Sequence, residues 1–178
     1  MNKNIRNLTI SGFMLALGLV LPFLTGQIPQ IGRALLPMHL PVFLCALICG
    51  WKYGLLVGAV MPLLRHLLFT MPPFQVAIAM TFEMATYGLV AGYIYFKMKK
   101  SNPLAAVYTA LVSAMILGRI VWGIAQMILM GVQGNPFGFQ AFLGGALFSA
   151  IPGIILQLVL VPALILLLEK NGVIRRGE

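Results

Sequence analysis

Apolar runs of about 20 residues, cut by short connections rich in glycine, proline and lysine, recur along the whole chain. That length constrains the fold more than any other feature. A helix rising about 1.5 Å per residue needs about 20 residues to cross a hydrocarbon layer roughly 30 Å thick. As a helix, such a run satisfies its own backbone polar groups, whereas an open strand in lipid does not. An all-α integral membrane protein is therefore expected. Of the 178 residues, 61% are hydrophobic and 8% charged, with mean hydropathy +1.00. This leaves no room for a sizeable soluble domain, and residues 1–178 read as a single transmembrane unit.

Six spans are expected. The first, Leu8 to Leu24, follows Lys3 and Arg6, lacks a small-residue cleavage site and reads as a retained helix. A short second helix covers Met38 to Gly50, and a third covers Trp51 to Phe69, interrupted by Pro62. The fourth runs from about Gln75 to Phe96, and the fifth from Leu104 to Met130. The sixth, roughly Phe139 to Leu168, contains Pro152 and Pro162. Turn formers mark the connections at Gly26–Pro37, Met71-Pro72-Pro73, Lys97–Pro103 and Gly131–Gly138.

Charge separates these connections into two sets. Lys3 and Arg6, Lys52, Lys97 with Lys99 and Lys100, and Lys170 with Arg175 and Arg176 fall on one side, and Arg33 alone falls on the other. By the positive-inside rule both termini are expected to be cytoplasmic, with three Gly/Pro-rich loops facing outward. The net charge of +9 therefore reads as an orientation signal and not as a nucleic-acid surface. Cys45 and Cys49, four apart in one apolar helix, read as packing residues and not as a metal site.

Few ionisable groups fall inside the spans: Arg65, His66, Glu83 and Arg119, with His39 close to an outer boundary. A charge at the centre of a bilayer costs about 2.5–3.5 kcal/mol, so such groups face the bundle interior or a wet cavity. Glu83 pairing with one arginine would account for part of the set. One carboxylate against two guanidinium groups leaves positive charge over, which a carboxylate or phosphate would complement bidentately. Arg65 also lies near a span end, where it could snorkel to the interface. Arg119, Trp122 and Gln126 share one stripe of the fifth span, as a pocket wall would; a belt tryptophan and a helix-bridging glutamine are the plainer readings. Glu83 and Tyr87 are one turn apart on the fourth span. His66 must point about 100° away from Arg65 around the helix, so the two cannot share a cavity centre. His39 reads either as a boundary residue or as a contact at the loop end, and Asn135 in the last outer loop completes the candidates.

No glycine-rich loop ending in Gly-Lys-Ser/Thr occurs, and there is no HExxH pair and no clustered carboxylate set. No catalytic residue, cofactor or metal site is assigned. A non-enzymatic role in moving a small solute is the leading expectation. The alternatives are a self-sufficient proton-coupled secondary transporter using Glu83, which lacks the usual inverted halves, and an intramembrane enzyme using Glu83 and His66.

The size, the six spans and the run LPMHLPVFLCALICGWKYGLLVGAVMPLLRHLLF at Leu36 to Phe69 resemble the substrate-capture (S) components of energy-coupling-factor (ECF) transporters across nearly the whole chain. The resemblance implies a vitamin-binding protein of a bacterial or archaeal cell membrane. Its outward-facing pocket would lie under a lid made largely of two outer loops, here Gly26 to Pro37 and about Thr70 to Phe74. It also implies partners: a membrane scaffold subunit and two ATP-hydrolysing subunits, with no nucleic acid. Docking on the scaffold would use small residues of the first span, here Gly12 and Ala16, although Leu19 and Val20 depart from the usual alanine-rich pattern. Relatives hold different vitamins on one scaffold. The surplus arginine favours an acidic one, with pantothenate first and riboflavin, cobalamin, folate, niacin or a modified-base precursor still open.

Overall fold

The computed structural model describes residues 2–25, 35–132, 134, 144 and 150–172. Among these it is all-helical, with six α-helices: α1 (Lys3–Val20), α2 (His39–Cys49), α3 (Trp51–Phe69), α4 (Phe74–Met98), α5 (Pro103–Val132) and α6 (Ile151–Lys170). A 3-10 turn at Leu21–Thr25 extends α1. Five of the six are long and apolar enough to cross a membrane, and α2 is the short exception. Large apolar side chains such as Leu8, Phe13, Ile128 and Val159 are more than half exposed on the outside of the bundle, as lipid-facing positions require.

Local chemistry sets the boundaries. Gly50 alone separates α2 from α3 at φ 98, a left-handed conformation that a side chain would strain. Asn102 starts α5 by accepting from the Ala105 N–H at 3.1 Å, and Pro103 follows at the first helical position, where its missing N–H costs nothing. Pro62 does not break α3, which runs continuously from Trp51 to Phe69 with the proline buried inside it. Neighbouring helices in a membrane bundle compensate for such a residue. The sixth helix is described from Ile151, so the expected start at Phe139 lies outside the described residues.

The core is the sequential hairpin of α3 and α4, with α5 on the other side of α4 and α2 wedged against both α3 and α4. The close approach of α3 and α4 depends on glycine. A Cβ on Gly88 would lie 2.2 Å from the Gly54 carbonyl carbon, and one on Gly58 would lie 2.2 Å from the Met84 oxygen. In lipid, where water does not drive helices together, contact at this range supplies the association. α1 joins through polar groups: Asn7 Nδ2 donates to the Cys49 carbonyl at 3.4 Å, and Ser11 Oγ donates to the Asn7 carbonyl at 2.7 Å while touching Cys45 Sγ at 3.4 Å. Cys45 and Cys49 are both buried free thiols in this seam.

The open face of α1 behaves differently. Nothing lies within 4 Å of a Cβ built on Gly12, and Gly12 and Ala16 are both exposed. Gly88→Ala should therefore lower stability by about 1–3 kcal/mol through overpacking. Gly12→Ala should change it by no more than about 0.5 kcal/mol. Thermal unfolding of the two variants in the same detergent checks both values.

Candidate functional site

Four ionisable or hydrogen-bonding side chains from three helices meet inside the bundle. Glu83, near the middle of α4, is 2% exposed. One of its oxygens, Oε1, accepts from Tyr87 Oη at 2.8 Å, one turn further along the same helix. The same oxygen faces Arg119 Nη1 of α5 at 3.0 Å and His39 Nε2 of α2 at 3.8 Å. The first two are hydrogen bonds; the third is too long to be one.

Packing fixes each member of this cluster. Tyr87 stacks on Phe43 of α2, with ring centroids 5.1 Å apart and planes at 21°, and lies 5.3 Å from the His39 ring. Its ring lies against α5 at Gly118, where a Cβ would fall 2.0 Å from Cε1. Gly118 thus clears the space that lets its neighbour Arg119 reach Glu83. A glycine inside a helix costs about 1 kcal/mol relative to alanine, so its place beside an intramembrane arginine was a usable sign of close approach. Gln157 of α6, 2% exposed, donates to the Leu36 carbonyl at 3.3 Å. Leu36 in turn accepts from the His39 N–H at 3.0 Å. Gln157, Gly118 and Phe43 are the supports that sequence reasoning missed.

The eleven residues of α2 make a helix of about 16 Å, roughly half the hydrocarbon thickness. His39, its first residue, is buried inside the bundle at 1% exposure. Among the described residues neither of its ring nitrogens has a hydrogen-bond partner. On Arg119, Nε and Nη2 are likewise buried and without a partner among the described residues. These two atoms carry parallel N–H groups along one side of the guanidinium, a fork matched to a carboxylate or another close pair of acceptors.

The other expected site residues are placed differently. Arg65 is not brought to Glu83: it is 3% exposed, donates through Nη1 to the Leu19 carbonyl of α1 and lies 5.1 and 5.3 Å from the rings of Phe23 and Phe69. It lies outside the cluster and clamps the end of α1 to the end of α3. Glu83 thus pairs with one arginine, Arg119, and the second guanidinium, expected beside the same carboxylate, is held elsewhere. Next to it, His66 turns away and its Nδ1 sits 2.8 Å from the Pro72 carbonyl. Trp122 and Gln126 follow Arg119 along α5 towards Val132 and are both half-buried. Asn135, Arg33 and most of the loop Gly26–Pro37 lie outside the described residues.

The pair makes a specific energetic demand. Glu83→Ala would leave the Arg119 guanidinium buried without its counter-charge, at an expected cost of about 3–5 kcal/mol. The double variant Glu83→Ala/Arg119→Ala should cost less than the sum of the two single changes, with a coupling of about 1–3 kcal/mol. A double-mutant cycle from denaturant unfolding in detergent measures that coupling; strictly additive values would show that the contact carries no energy.

These features suit a membrane protein that holds a small polar molecule among its helices, with two free donors of a fixed fork at the holding point. Comparison with known proteins bears on that class. The family model for the ECF transporter substrate-specific component matches residues 6–165. No curated protein and no solved structure shows a significant match. The family is one of transporter components and not of enzymes, and its match runs through every element of the cluster from α2 to α5. This multi-pass membrane chain belongs to the substrate-specific components of ECF transporters.

Proposed function

We propose that this protein is the solute-capturing subunit of an ECF-type vitamin importer in the cell membrane of a bacterium or archaeon. It takes a small, water-soluble, anionic vitamin from outside the cell and delivers it by docking on a scaffold subunit joined to two ATP-hydrolysing subunits. Both termini are cytoplasmic, since the basic residues of α1, the α2–α3 and α4–α5 junctions and the end of α6 gather at one end of the bundle. Pantothenate is the first choice of solute, and riboflavin, cobalamin, folate, niacin and a modified-base precursor are the other candidates.

The observation that carries this reading is the free edge of Arg119. Buried polar groups are normally satisfied, and leaving two guanidinium donors unpartnered costs free energy that a ligand with paired acceptors would return. A vitamin carboxylate supplies such acceptors. Half-buried Trp122 and Gln126 on the same stripe of α5 offer stacking area and an amide to the rest of the molecule. In this reading Arg65 serves the frame and not the ligand. It ties the base of the first outer loop to the end of α3, next to the turn at Met71-Pro72-Pro73.

Thermal-shift measurements of the purified chain against a panel of water-soluble vitamins test the capture role. An acidic vitamin present at 100 times its dissociation constant should add about 2.7 kcal/mol of stability. Arg119→Lys keeps the charge but removes the fork and should weaken binding by at least roughly tenfold, about 1.4 kcal/mol. If a neutral vitamin alone binds, and binds Arg119→Lys equally well, the use of Arg119 proposed here is wrong.

Docking is tested separately at α1. Gly12→Trp and Ala16→Trp place bulk on an exposed face that touches nothing else in the bundle. Both variants should keep vitamin binding and lose co-purification with the scaffold subunit. Retained co-purification would move the docking surface off α1.

A further inference from the structure

A vitamin carboxylate on the free edge of Arg119 raises a problem of charge. The guanidinium is already neutralised by Glu83 at 3.0 Å, so a bound monoanion would leave this buried cluster with one net negative charge. Arg65 does not supply the balance, because it is held by the Leu19 carbonyl and the rings of Phe23 and Phe69. Tyr87 can only lose a proton, which would make the imbalance worse. The first turn of α2 adds little, since its His39 N–H is already bonded to Leu36 and Pro41 has no N–H. Even a complete helix N-terminus amounts to about half a charge.

One group in the cluster can become a cation. His39 is 1% exposed, its Nε2 lies 3.8 Å from Glu83 Oε1, and both ring nitrogens lack hydrogen-bond partners among the described residues. A neutral imidazole offers one donor and one acceptor, whereas an imidazolium offers two donors. Between a carboxylate already present and a second one arriving, two donors satisfy both neighbours. The groups facing His39 from each packed element favour that outcome or are indifferent to it. α4 presents Glu83 and Tyr87, and α5 presents Arg119 already paired. α6 presents Gln157, which is engaged with Leu36. The polar residues that α1 sends to α2, Asn7 and Ser11, lie against Cys49 and Cys45 towards the far end of α2. On α3, Arg65 and His66 are turned to Leu19 and Pro72, and Lys52 and Tyr53 stand in its first turn beside Gly50, at the far end of α2 from His39.

We infer that His39 takes up one proton when the site receives a carboxylate, so that capture of an anionic solute is linked to proton uptake. This rests on the capture reading above and goes beyond it, because it assigns His39 the role of balancing charge and gives the site a preference between an acid and its neutral analogue. The only bond formed is an N–H on the imidazole. The bond broken is that of the buffer's acid form, which gives up the proton through solvent, and the carboxylate remains ionised on Arg119. Affinity for the acid falls as pH rises, and affinity for the neutral analogue does not.

The test is calorimetric binding to the full chain in lipid nanodiscs at roughly pH 8, where a free imidazole is neutral. Repeating it in two buffers of different ionisation enthalpy counts protons. The probes are pantothenate, nicotinate, biotin and folate, each beside its neutral alcohol or amide. The acid that binds should take up about one proton per molecule, and its neutral partner none. His39→Gln should abolish the uptake and weaken the acid by at least roughly tenfold. Glu83→Gln should also abolish the uptake, because Arg119 alone then balances the charge of the ligand. The chain has two histidines, so nitrogen NMR of labelled imidazole in a His66→Gln background reads His39 directly, whether or not His39→Gln folds. Binding of an acid without proton uptake overturns the inference and leaves the capture reading intact. Uptake that persists in His39→Gln, or an imidazole that stays neutral with ligand bound, places the proton on Glu83 and overturns the assignment. If no acid binds, the anionic reading and this inference fall together.

Discussion

The contact between Glu83 Oε1 and Arg119 Nη1, 3.0 Å long and out of water, is the interaction on which the interior of the bundle is organised. Its attraction is roughly 5–6 kcal/mol at an effective dielectric of 20. Insertion of two such charges at the middle of a membrane costs about 5–7 kcal/mol on the same order-of-magnitude footing. The two nearly cancel, so the pair is not there to make the fold stable. What it does is fix position: α4 and α5 are pinned at one depth, and the guanidinium is held by one nitrogen so that its opposite edge points away from Glu83 with its donors unused. A leucine pair would pack as well and would leave no such edge.

The second buried arginine makes the point by contrast. Arg65 is at least as buried as Arg119, yet it satisfies its charge with a backbone carbonyl and two aromatic faces. A carbonyl at the end of α1 carries partial negative charge, and the rings present the negative faces of their quadrupoles. No carboxylate is needed there, and the only acid within the helical interior remains available to Arg119. Two arginines that look equivalent in the sequence thus have different duties, one in the frame and one at the site. The frame itself depends on the glycine contacts of α3 and α4, which bring the backbones close enough to hold α4 rigid behind Glu83 and Tyr87.

The helices themselves were legible because hydrophobic length is a one-dimensional property; five of them are long enough to cross a membrane. The α2–α3 junction was read at Gly50, and α3 was read from Trp51 to Phe69 as found. The effect of Pro62 was misjudged, since a proline inside a packed membrane helix need not interrupt it. Arg119, Glu83 and Tyr87 were legible as a group because intramembrane polar residues are rare and i, i+4 spacing puts two of them on one face. The burial of His39 beside Glu83 was not legible, because it depends on how α2 packs against α4, which local pattern does not reveal. The separation of Arg65 from Arg119 was not legible at all. It turns on which aromatic and which carbonyl lie opposite, and those partners are four, forty-two and forty-six residues away in the chain.

The short helix is what makes the arrangement more than a buried ion pair. The first side chain of α2 is an imidazole 3.8 Å from the carboxylate, and the chain entering it is held by Gln157 of α6 through Leu36. At its other end α2 meets α1 through Asn7, Ser11 and the two cysteines, so one short helix carries the charged cluster at its start and the seam with α1 at its end.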